Sequence, residues 1–434
     1  MGLTITEKIL LAHTKGVSAT KIRPGEFILA DVDFTLGNDI TAPLAIQEFK
    51  KLKVRKVFDR NKIALIPDHF VPARDCVAAN SARVLKDFAA EQKLKHYYEV
   101  GQMGIEHALL PERGLIQPGK VIIGADSHTC TYGALGVFST GVGSTDLAAS
   151  WALGKCWFKV PETIKFIYEG KLNKWVTGKD LILHTIGDIG VDGARYMAME
   201  LTGSVIRNLC MDDRLAMCNM AIEAGGKSGI IAPDKITFEY LKDVLPKTSA
   251  AVWKKKCEKW GNLKSDKDAR YSQIRRYDVS KWEPVVACPH LPSNTKPASK
   301  LKDVKLNQVV IGSCTNGRIS DLRIAAKLLK GKKVFPGLRL IVIPATQKIF
   351  LQAAQEGLAE IFVKAGGIFS TPTCGPCLGG HCGVLTKGEV ALATTNRNFI
   401  GRMGDPKSFV YLSNPAVAAA SCVTGRITHP GEIQ

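Results

Sequence analysis

The sequence lacks the features of a membrane protein and of a secreted, disulfide-stabilised scaffold. No window approaches the roughly 20 uninterrupted apolar residues that a membrane-spanning helix needs, because even the apolar stretch around 121–138 is broken by Asp126 and His128. The start, MGLTITEKIL, has no basic segment followed by an apolar one, as a secretory leader would. We therefore expect a cytoplasmic protein without a membrane partner, in which the 12 cysteines are reduced.

Acidic residues are scarce relative to basic ones, and low-complexity tracts are absent. Asp and Glu number 40 against 59 Lys and Arg, which gives a formal net charge of +19. Such a surface favours anions, whether polycarboxylates, nucleic acid or an acidic protein. With 434 residues, 45% of them hydrophobic, the chain is long enough for a sizeable core. This length predicts roughly three domains and excludes small disulfide scaffolds.

Alternating strand and helix signals indicate α/β domains. The apolar run at 121–123 predicts a buried strand that ends in a polar loop, where functional sites often lie. A strand at 308–312, a helix at 320–330 and a strand at 338–343 predict a βαβ unit with parallel strands. The proline-rich run at 284–303 predicts an inter-domain linker. The three domains are expected at 1–160, 161–290 and 291–434.

Three cysteines form a pattern typical of a metal site. Cys314 follows a predicted strand, while Cys374 and Cys377 form a C-x2-C pair in a loop rich in glycine and proline. Such a loop lets both thiolates point at one centre, and three protein ligands would leave one iron of a four-iron cluster open to substrate. The spacing is also compatible with a redox dithiol, with packed thiols, or with a zinc site completed by Cys382.

Two short motifs place a carboxylate beside an imidazole. They are Asp68-His69 and Asp126-Ser127-His128. A neighbouring carboxylate can orient the ring or tune it as a general acid. Taken alone, each motif more often forms a hydrogen-bonded turn than a catalytic pair.

Charged residues in two other motifs need partners or ligands. Glu223 lies in the apolar stretch CNMAIEAGG, where burying it unpaired would cost several kcal/mol. We therefore expect Glu223 to have a partner in a site. Arg397 and Arg402 lie in NRNFIGR, and a guanidinium binds a carboxylate through two parallel hydrogen bonds. Without further information, the two could also be surface arginines.

Seven motifs in order resemble the aconitase superfamily of hydro-lyases, and most closely its family of 3-isopropylmalate dehydratase large subunits. The motifs are PDH at 67–69, GIEH at 104–107, GADSHT at 124–129, CNMAIEAG at 218–225, IGSCTNG at 311–317, TCGPC at 373–377 and NRNFIGR at 396–402. The similarity covers essentially the whole chain. It implies an α/β, three-domain aconitase-like fold with parallel-sheet domains. The swivelling fourth domain of one-chain aconitases is expected on a small partner subunit.

The resemblance also implies a cofactor and its ligands. Cys314, Cys374 and Cys377 would hold one [4Fe-4S] cluster per chain, with one iron not coordinated by the protein. Asn219 and Asn396 would be neighbours of this cluster. The resemblance, and not the spacing of the cysteines, favours iron over zinc.

The polar residues of the motifs receive roles by the same resemblance. His69, supported by Asp68, would help to protonate the departing hydroxyl. Asp126 and His128 would organise the hydroxyl or water on the iron. The remaining expected residues are a second pair near that water, His107 and Glu223, and the substrate-binding residues Ser127, Arg397, Arg402 and Asn38.

The implied activity is the interconversion of 2-isopropylmalate and 3-isopropylmalate by dehydration and rehydration, in leucine biosynthesis. Related small hydroxy-dicarboxylate substrates stay open, namely homoaconitate, citramalate or methylmalate, and 2,3-dimethylmalate, because the resemblance places side-chain recognition on the small subunit. Some aconitase relatives bind RNA after losing their cluster. Here the basic stretch at 254–276 is more simply a solvated face, so we do not expect a nucleic-acid partner.

Overall fold

The computed structural model describes residues 2–14 and 22–433, and the strands of this part of the chain form three sheets and a two-stranded ribbon. The strands are β1 (Phe27–Asp31), β2 (Phe34–Asn38), β3 (Ile63–Ile66), β4 (His96–Tyr97), β5 (Val121–Gly124), β6 (Phe138–Gly141), β7 (Lys155–Lys159), β8 (Thr163–Glu169), β9 (Ala198–Thr202), β10 (Ser228–Ile230), β11 (Gln273–Asp278), β12 (Val285–Ala287), β13 (Thr295–Pro297), β14 (Gln308–Ile311), β15 (Arg339–Val342), β16 (Ile368–Phe369), β17 (Val390–Ala393) and β18 (Phe409–Leu412).

Helices connect and cover these strands. The α-helices are α1 (Ile5–Ala12), α2 (Ala42–Lys51), α3 (Cys76–Glu91), α4 (Glu106–Glu112), α5 (Ser144–Leu153), α6 (Gly178–Ile189), α7 (Ser204–Asn208), α8 (Met211–Asn219), α9 (Lys235–Val244), α10 (Ala250–Gly261), α11 (Ser313–Asn316), α12 (Ile319–Leu329), α13 (Gln347–Gln355), α14 (Leu358–Ala365) and α15 (Pro415–Thr424). The 3₁₀ segments are Ser127–Leu135, Met220–Ala224, Val279–Lys281, Ala298–Lys300, Gly375–Leu378 and Pro430–Glu432. None of the helices in the described ranges is long and apolar enough to span a membrane.

The first sheet is parallel throughout, with strand order β4-β3-β2-β5-β6. Its strand β3 is apolar at every position because helices or other sheets cover both faces. Ile63 and Leu65 pack against helices α2, α3 and α5, while Ala64 and Ile66 face the main core. The sheet therefore separates a helical layer from the centre of the molecule.

The other two sheets meet the first around one continuous core. The second sheet is parallel with order β10-β9-β8-β11, and the third has order β13-β12-β18-β17-β14-β15-β16. The main core contains Ile122 of β5, Phe166 of β8 and Val310 of β14. The first strand of the second sheet begins at Thr163 and the third sheet begins at Val285. The domain limits at 160 and 290 stay a prediction.

The predicted linker at 284–303 is wrong, because this run forms part of the third sheet. Strands β12 and β13 pair antiparallel, and Ala287 of β12 also pairs with Leu412 of β18. Strand β13 is the edge strand, and an edge tolerates Pro297 because no ladder hydrogen bond is lost there. The predicted βαβ unit is confirmed, since β14 and β15 are parallel neighbours joined through α12.

Two sets of adjacent strand ends position the polar motifs. In the first sheet, β3, β2 and β5 are neighbours, so their carboxyl ends bring Asp68, Asn38 and Asp126 to one edge. In the third sheet, β14 and β17 are neighbours, and they lead into Cys314 and Asn396. The functional site is built where these two edges meet.

Candidate active site

A buried Asp–His pair follows strand β3. The carboxylate of Asp39 accepts hydrogen bonds from the backbone N–H groups of Asp68 (3.0 Å), His69 (2.9 Å) and Phe70 (2.9 Å), which fixes the turn. Nδ1 of His69 lies 2.6 Å from Oδ1 of Asp68. Burial alone would lower the pKa of His69, but the charge and hydrogen bond of Asp68 raise it to about 10. His69 is therefore an imidazolium at neutral pH.

A second pair joins helix α4 to the end of β5. Nε2 of His107 lies 3.0 Å from Oδ1 of Asp126, and Nδ1 of His107 lies 3.3 Å from the hydroxyl of Tyr132. The backbone N–H of His128 also donates to Oδ1 of Asp126, at 2.8 Å. Burial would raise the pKa of Asp126, yet hydrogen bonds from His107 and His128 hold it well below its ordinary value. Asp126 stays a carboxylate.

A third pair consists of His128 and Glu223, which are joined by a 2.8 Å hydrogen bond. Nε of Arg397 also donates to Oε1 of Glu223, at 2.7 Å. These contacts hold the pKa of Glu223 below its ordinary value although burial would raise it. The expected pairing of His107 with Glu223 is not observed, because His107 faces the end of β5 and pairs with Asp126. Asp126 contacts both His107 and His128, and Glu223 contacts His128.

The three predicted cysteines are all buried. Cys314 lies in the short helix α11, and Cys374 and Cys377 lie at the start and within the 3₁₀ segment that follows β16. Amide groups of Asn219 and Asn396 donate to Sγ of Cys314, at 3.2 and 3.3 Å. Both asparagines are thus neighbours of the cysteines. We call these three cysteines the cysteine group.

The three thiols of the cysteine group do not all lie within the distance that ligands of a single ion require. A tetrahedral zinc with Zn–S distances of about 2.3 Å would hold its thiolates about 3.8 Å apart. In the described residues, sets of three His, Cys, Asp or Glu ligand atoms within 4.8 Å of one another occur at Asp39, Asp68 and His69 and at Glu106, His107 and Asp126, and the cysteine group forms no such set. The three thiols therefore do not all lie as close together as one zinc ion would require, and buried cysteine thiolates are the usual ligands of an iron–sulfur cluster.

Positive charge lies beside these thiols. A hydrogen bond from Cys374 and the nearby guanidinium of Arg402 hold the pKa of Cys377 well below its ordinary value. Nε of Arg402 is buried and has no hydrogen-bond partner within residues 2–14 and 22–433. An orphaned cationic donor next to thiolates indicates a place for an anionic group.

Hydrogen bonds fasten the cysteine group to the histidines. The backbone N–H of Cys374 donates to the carbonyl of Asp68, at 2.8 Å. The guanidinium of Arg318 donates to the carbonyl of Cys314, at 2.9 Å, and to that of His107, at 3.5 Å. The thiols and the imidazoles therefore line one site, although they come from different sheets.

One buried acid of the site has no role in the sequence interpretation, although it lies in the GIEH motif. Glu106 is buried, and its Oε1 accepts from Nδ2 of Asn38 at 2.9 Å. Oε2 of Glu106 has no hydrogen-bond partner among the residues described. Burial, together with the charges of Asp68 and Asp126, raises the pKa of Glu106 well above its ordinary value. These surroundings favour the neutral, protonated form of the Glu106 carboxyl group. We call the following residues the acid–base group: Asp68, His69, Glu106, His107, Asp126, His128 and Glu223.

The two remaining expected substrate contacts differ in their surroundings. Asn38 is buried, and its Oδ1 accepts from the backbone N–H groups of Ile40 and Thr41 while its amide donates to Glu106. It contacts the acid–base group through Glu106, and its role toward substrate stays a prediction. Ser127 is partly exposed at the start of a 3₁₀ segment, next to Asp126.

Comparisons with known proteins identify relatives of this chain. A family model described as Aconitase family (aconitate hydratase) matches residues 7–300 and 293–425. Over 100% of both chains, the protein is 64% identical to the 3-isopropylmalate dehydratase large subunit of Thermodesulfovibrio yellowstonii and 62% identical to that of Moorella thermoacetica. A solved structure, the holo form of aconitase X from Thermococcus kodakaraensis, is 13% identical, with a TM-score of 0.48 over 87% of this chain and 89% of that one.

The family model and the full-length relatives confirm the resemblance seen in the motifs and the expected α/β aconitase-like fold. The relatives are named as dehydratases, which are hydro-lyases. The chain belongs to the aconitase family.

Proposed function

We propose that this chain is the large subunit of a two-chain, cytoplasmic hydro-lyase that interconverts 2-isopropylmalate and 3-isopropylmalate in leucine biosynthesis. One observation carries the proposal. Three buried cysteines and three carboxylate–imidazole pairs line one site, in a chain 64% identical over its full length to a relative of that name.

The cofactor we propose is a [4Fe-4S] cluster held by Cys314, Cys374 and Cys377, with its fourth iron left without a protein ligand. When bound, the cluster would supply a Lewis acid that polarises the substrate hydroxyl and carboxylate. The amide donors on Cys314, the orphaned Nε of Arg402 and the spacing of the thiols support this assignment.

His69 is the proposed acid that protonates the departing hydroxyl. Hydroxide is a poor leaving group, so the proton on Nε2 must be available at neutral pH. Asp68 ensures this, because its carboxylate fixes Nδ1 and favours the imidazolium. Nε2 of His69 lies 3.9 Å from Oδ2 of Asp126, so the proton on Nε2 points toward the other residues of the acid–base group. In the hydration direction the same ring takes the proton back from water.

The other two pairs orient the water and the substrate. Asp126 is held ionised by His107 and His128, so it can accept a hydrogen bond from the hydroxyl or water. Glu223 accepts a hydrogen bond from Nε of Arg397 and so fixes the orientation of the guanidinium. The two terminal nitrogens of Arg397 remain available to bind a substrate carboxylate. Ser127 and Arg402 are proposed as further contacts to the substrate's anionic groups.

A small partner subunit is proposed to close the site. The relatives are named large subunits, and the resemblance assigns the swivelling domain to a second chain. We propose that this partner supplies the base that removes the carbon-bound proton, which is very weakly acidic and needs electrostatic help.

Anaerobic reconstitution of the chain with its small subunit tests the function. We expect a brown protein with iron and sulfide in equal amounts, and turnover of 2-isopropylmalate that is followed by absorbance of the alkene intermediate. Homoaconitate, citramalate and 2,3-dimethylmalate are assayed in parallel. A colourless zinc protein, or faster turnover of one of these acids, would contradict the cofactor or the substrate, respectively.

A further inference from the structure

A buried lysine lies beside the cysteine group and has no part in the chemistry above. Lys179 is in the first turn of helix α6 and is fully buried. Its Nζ donates to the backbone carbonyls of Thr394, at 3.0 Å, and Thr395. Burying an ammonium costs several kcal/mol unless hydrogen bonds and opposite charges compensate it. A residue with this cost indicates a function at its location.

The two carbonyls belong to the segment that presents Asn396. The hydroxyl of Thr394 donates to the carbonyl of Gly312, at 3.0 Å, and accepts from its N–H, at 2.9 Å. Gly312 leads directly into the helix that carries Cys314, and Asn396 donates to Sγ of Cys314. Lys179, which lies on helix α6, therefore stabilises the contact between the segment after β17 and the segment after β14.

The electrostatic surroundings of Lys179 include two of the thiols. Burial lowers the pKa of Lys179 to about 7, and negative charge on Cys314 and Cys377, followed by Asp321 and Asp180, opposes this shift and favours the ammonium. Asp180 already accepts hydrogen bonds from Asn414 and from backbone N–H groups, and Asp321 accepts from Asn316. The carboxylates are thus engaged elsewhere, while an anionic group on the cysteines would have Lys179 as a buried counter-charge.

We infer that Lys179 is a positioning and charge-compensating residue for the cluster on the cysteine group. Its two hydrogen bonds hold the 394–396 segment against Cys314, and its ammonium offsets part of the negative charge of the thiolates and the cluster. This inference rests on the proposed function, since it requires the cysteines to hold an anionic cluster.

The test compares the wild-type chain with Lys179→Met, which keeps the length and removes the charge. After anaerobic reconstitution, iron per chain, the midpoint potential in a titration followed by electron paramagnetic resonance, and the rate of cluster loss in air are measured. We expect the potential to shift to more negative values, because reduction adds charge that the lysine no longer offsets. We expect cluster loss to be about tenfold faster or more, as for a lost hydrogen bond to a charged group.

Two further variants separate charge from folding. Lys179→Gln keeps two N–H donors for the carbonyls but has no charge, so we expect the same direction of shift in potential with slower cluster loss than in Lys179→Met. Lys227→Met is the matched control, because Lys227 is also largely buried and donates to a backbone carbonyl, that of Gly141 at 3.3 Å. We expect its potential and its cluster loss to equal those of the wild type.

The outcomes are distinguishable. If the wild type holds a cluster and both Lys179 variants keep its potential and its rate of loss, this inference alone is wrong. An equal shift in Lys227→Met would also overturn it, because the effect would then not depend on position. A wild-type chain that binds no iron would overturn the cofactor proposal and, with it, this inference.

Discussion

The acid–base group and the cysteine group differ in whether the protein alone provides hydrogen-bond partners for their polar atoms. Each histidine of the acid–base group has a carboxylate within 3.0 Å. In the cysteine group, by contrast, amides donate toward sulfur, and a buried guanidinium nitrogen of Arg402 lacks a partner. Under the proposed function, the chain itself provides the groups for proton transfer, whereas the thiols bind an added anionic group. Changes in the two regions should therefore separate cluster content from proton transfer.

The largest expected effect comes from removing a ligand of the cysteine group. Cys377→Ser should lose the cluster absorbance and reduce turnover about a thousandfold, because the lost Lewis acid is worth several kcal/mol. Iron analysis and the reconstituted assay measure both. The exposed Cys382 lies near the same loop and serves as the control. Cys382→Ser should keep both properties, and loss of its cluster would contradict a set of three ligands.

The next effect is expected in the acid–base group, with cluster content unchanged. Asp68→Asn removes the largest of the interactions that raise the pKa of His69 to about 10, so burial should lower this pKa, opposed only by the charges of Asp39 and Asp126. A histidine loses its proton as pH rises through its pKa. We therefore expect kcat of the wild type to stay constant from pH 6 to 9. The variant should lose about a hundredfold in kcat at neutral pH, and more as pH rises. The pH dependence of kcat measures this.

The control for the pH dependence of kcat is another hydrogen-bonded Asp–His pair, which lies outside the site. Nε2 of His13 lies 2.7 Å from Oδ2 of Asp33, and the pKa of His13 is raised. Its contribution to stability is complete below the unfolded-state value of 6.5 and is lost as pH rises through the folded-state pKa. Asp33→Asn should lower the melting temperature and leave the pH dependence of kcat as in the wild type. A changed profile would show that the effect of Asp68→Asn is structural.

A smaller effect is expected where the substrate meets the acid–base group. Arg397→Lys keeps the charge but loses the planar pair of terminal donors, so KM should rise about tenfold to a hundredfold with a smaller change in kcat. Steady-state kinetics separate the two parameters. The exposed Arg323, which pairs with Glu356, provides the control Arg323→Lys. A fall in kcat without a rise in KM would remove Arg397 from carboxylate binding.

The smallest effect is expected for Glu106→Gln. The raised pKa of Glu106 favours its neutral form, and the amide oxygen of glutamine can still accept from Asn38. We expect kcat to change less than about threefold and stability by less than about 0.5 kcal/mol. Infrared absorption of a protonated carboxylic acid, lost in the variant, tests the same point. A hundredfold loss of kcat would mean that Glu106 carries a proton in the reaction.

Much of the fold could be predicted because buried parallel strands are continuous apolar runs. The run at 121–123 and the unit at 308–343 both gave strands as expected. The run at 284–303 was misinterpreted, because an edge strand accepts prolines that a central strand would exclude. Composition alone does not distinguish such an edge from a linker.

The sequence motifs named most of the residues that the structure brings together in the site. They did not indicate which of these residues contact each other. The motifs identified His107 and Glu223, but their partners depend on how separate sheets meet, which one sequence does not reveal. Glu106 and Lys179 gave a weak signal, since an acid or a lysine in the first turn of a helix usually faces solvent. Only their burial beside other charged groups indicates a role.

The central claim is that the cysteine group holds a [4Fe-4S] cluster with one iron open to the hydroxy acid. Mössbauer spectroscopy of the ⁵⁷Fe-reconstituted enzyme, recorded before and after addition of 2-isopropylmalate, tests it most directly. We predict that the signal of one iron changes on addition of substrate while the other three keep theirs. A spectrum in which every iron is unaffected by the substrate would contradict the account.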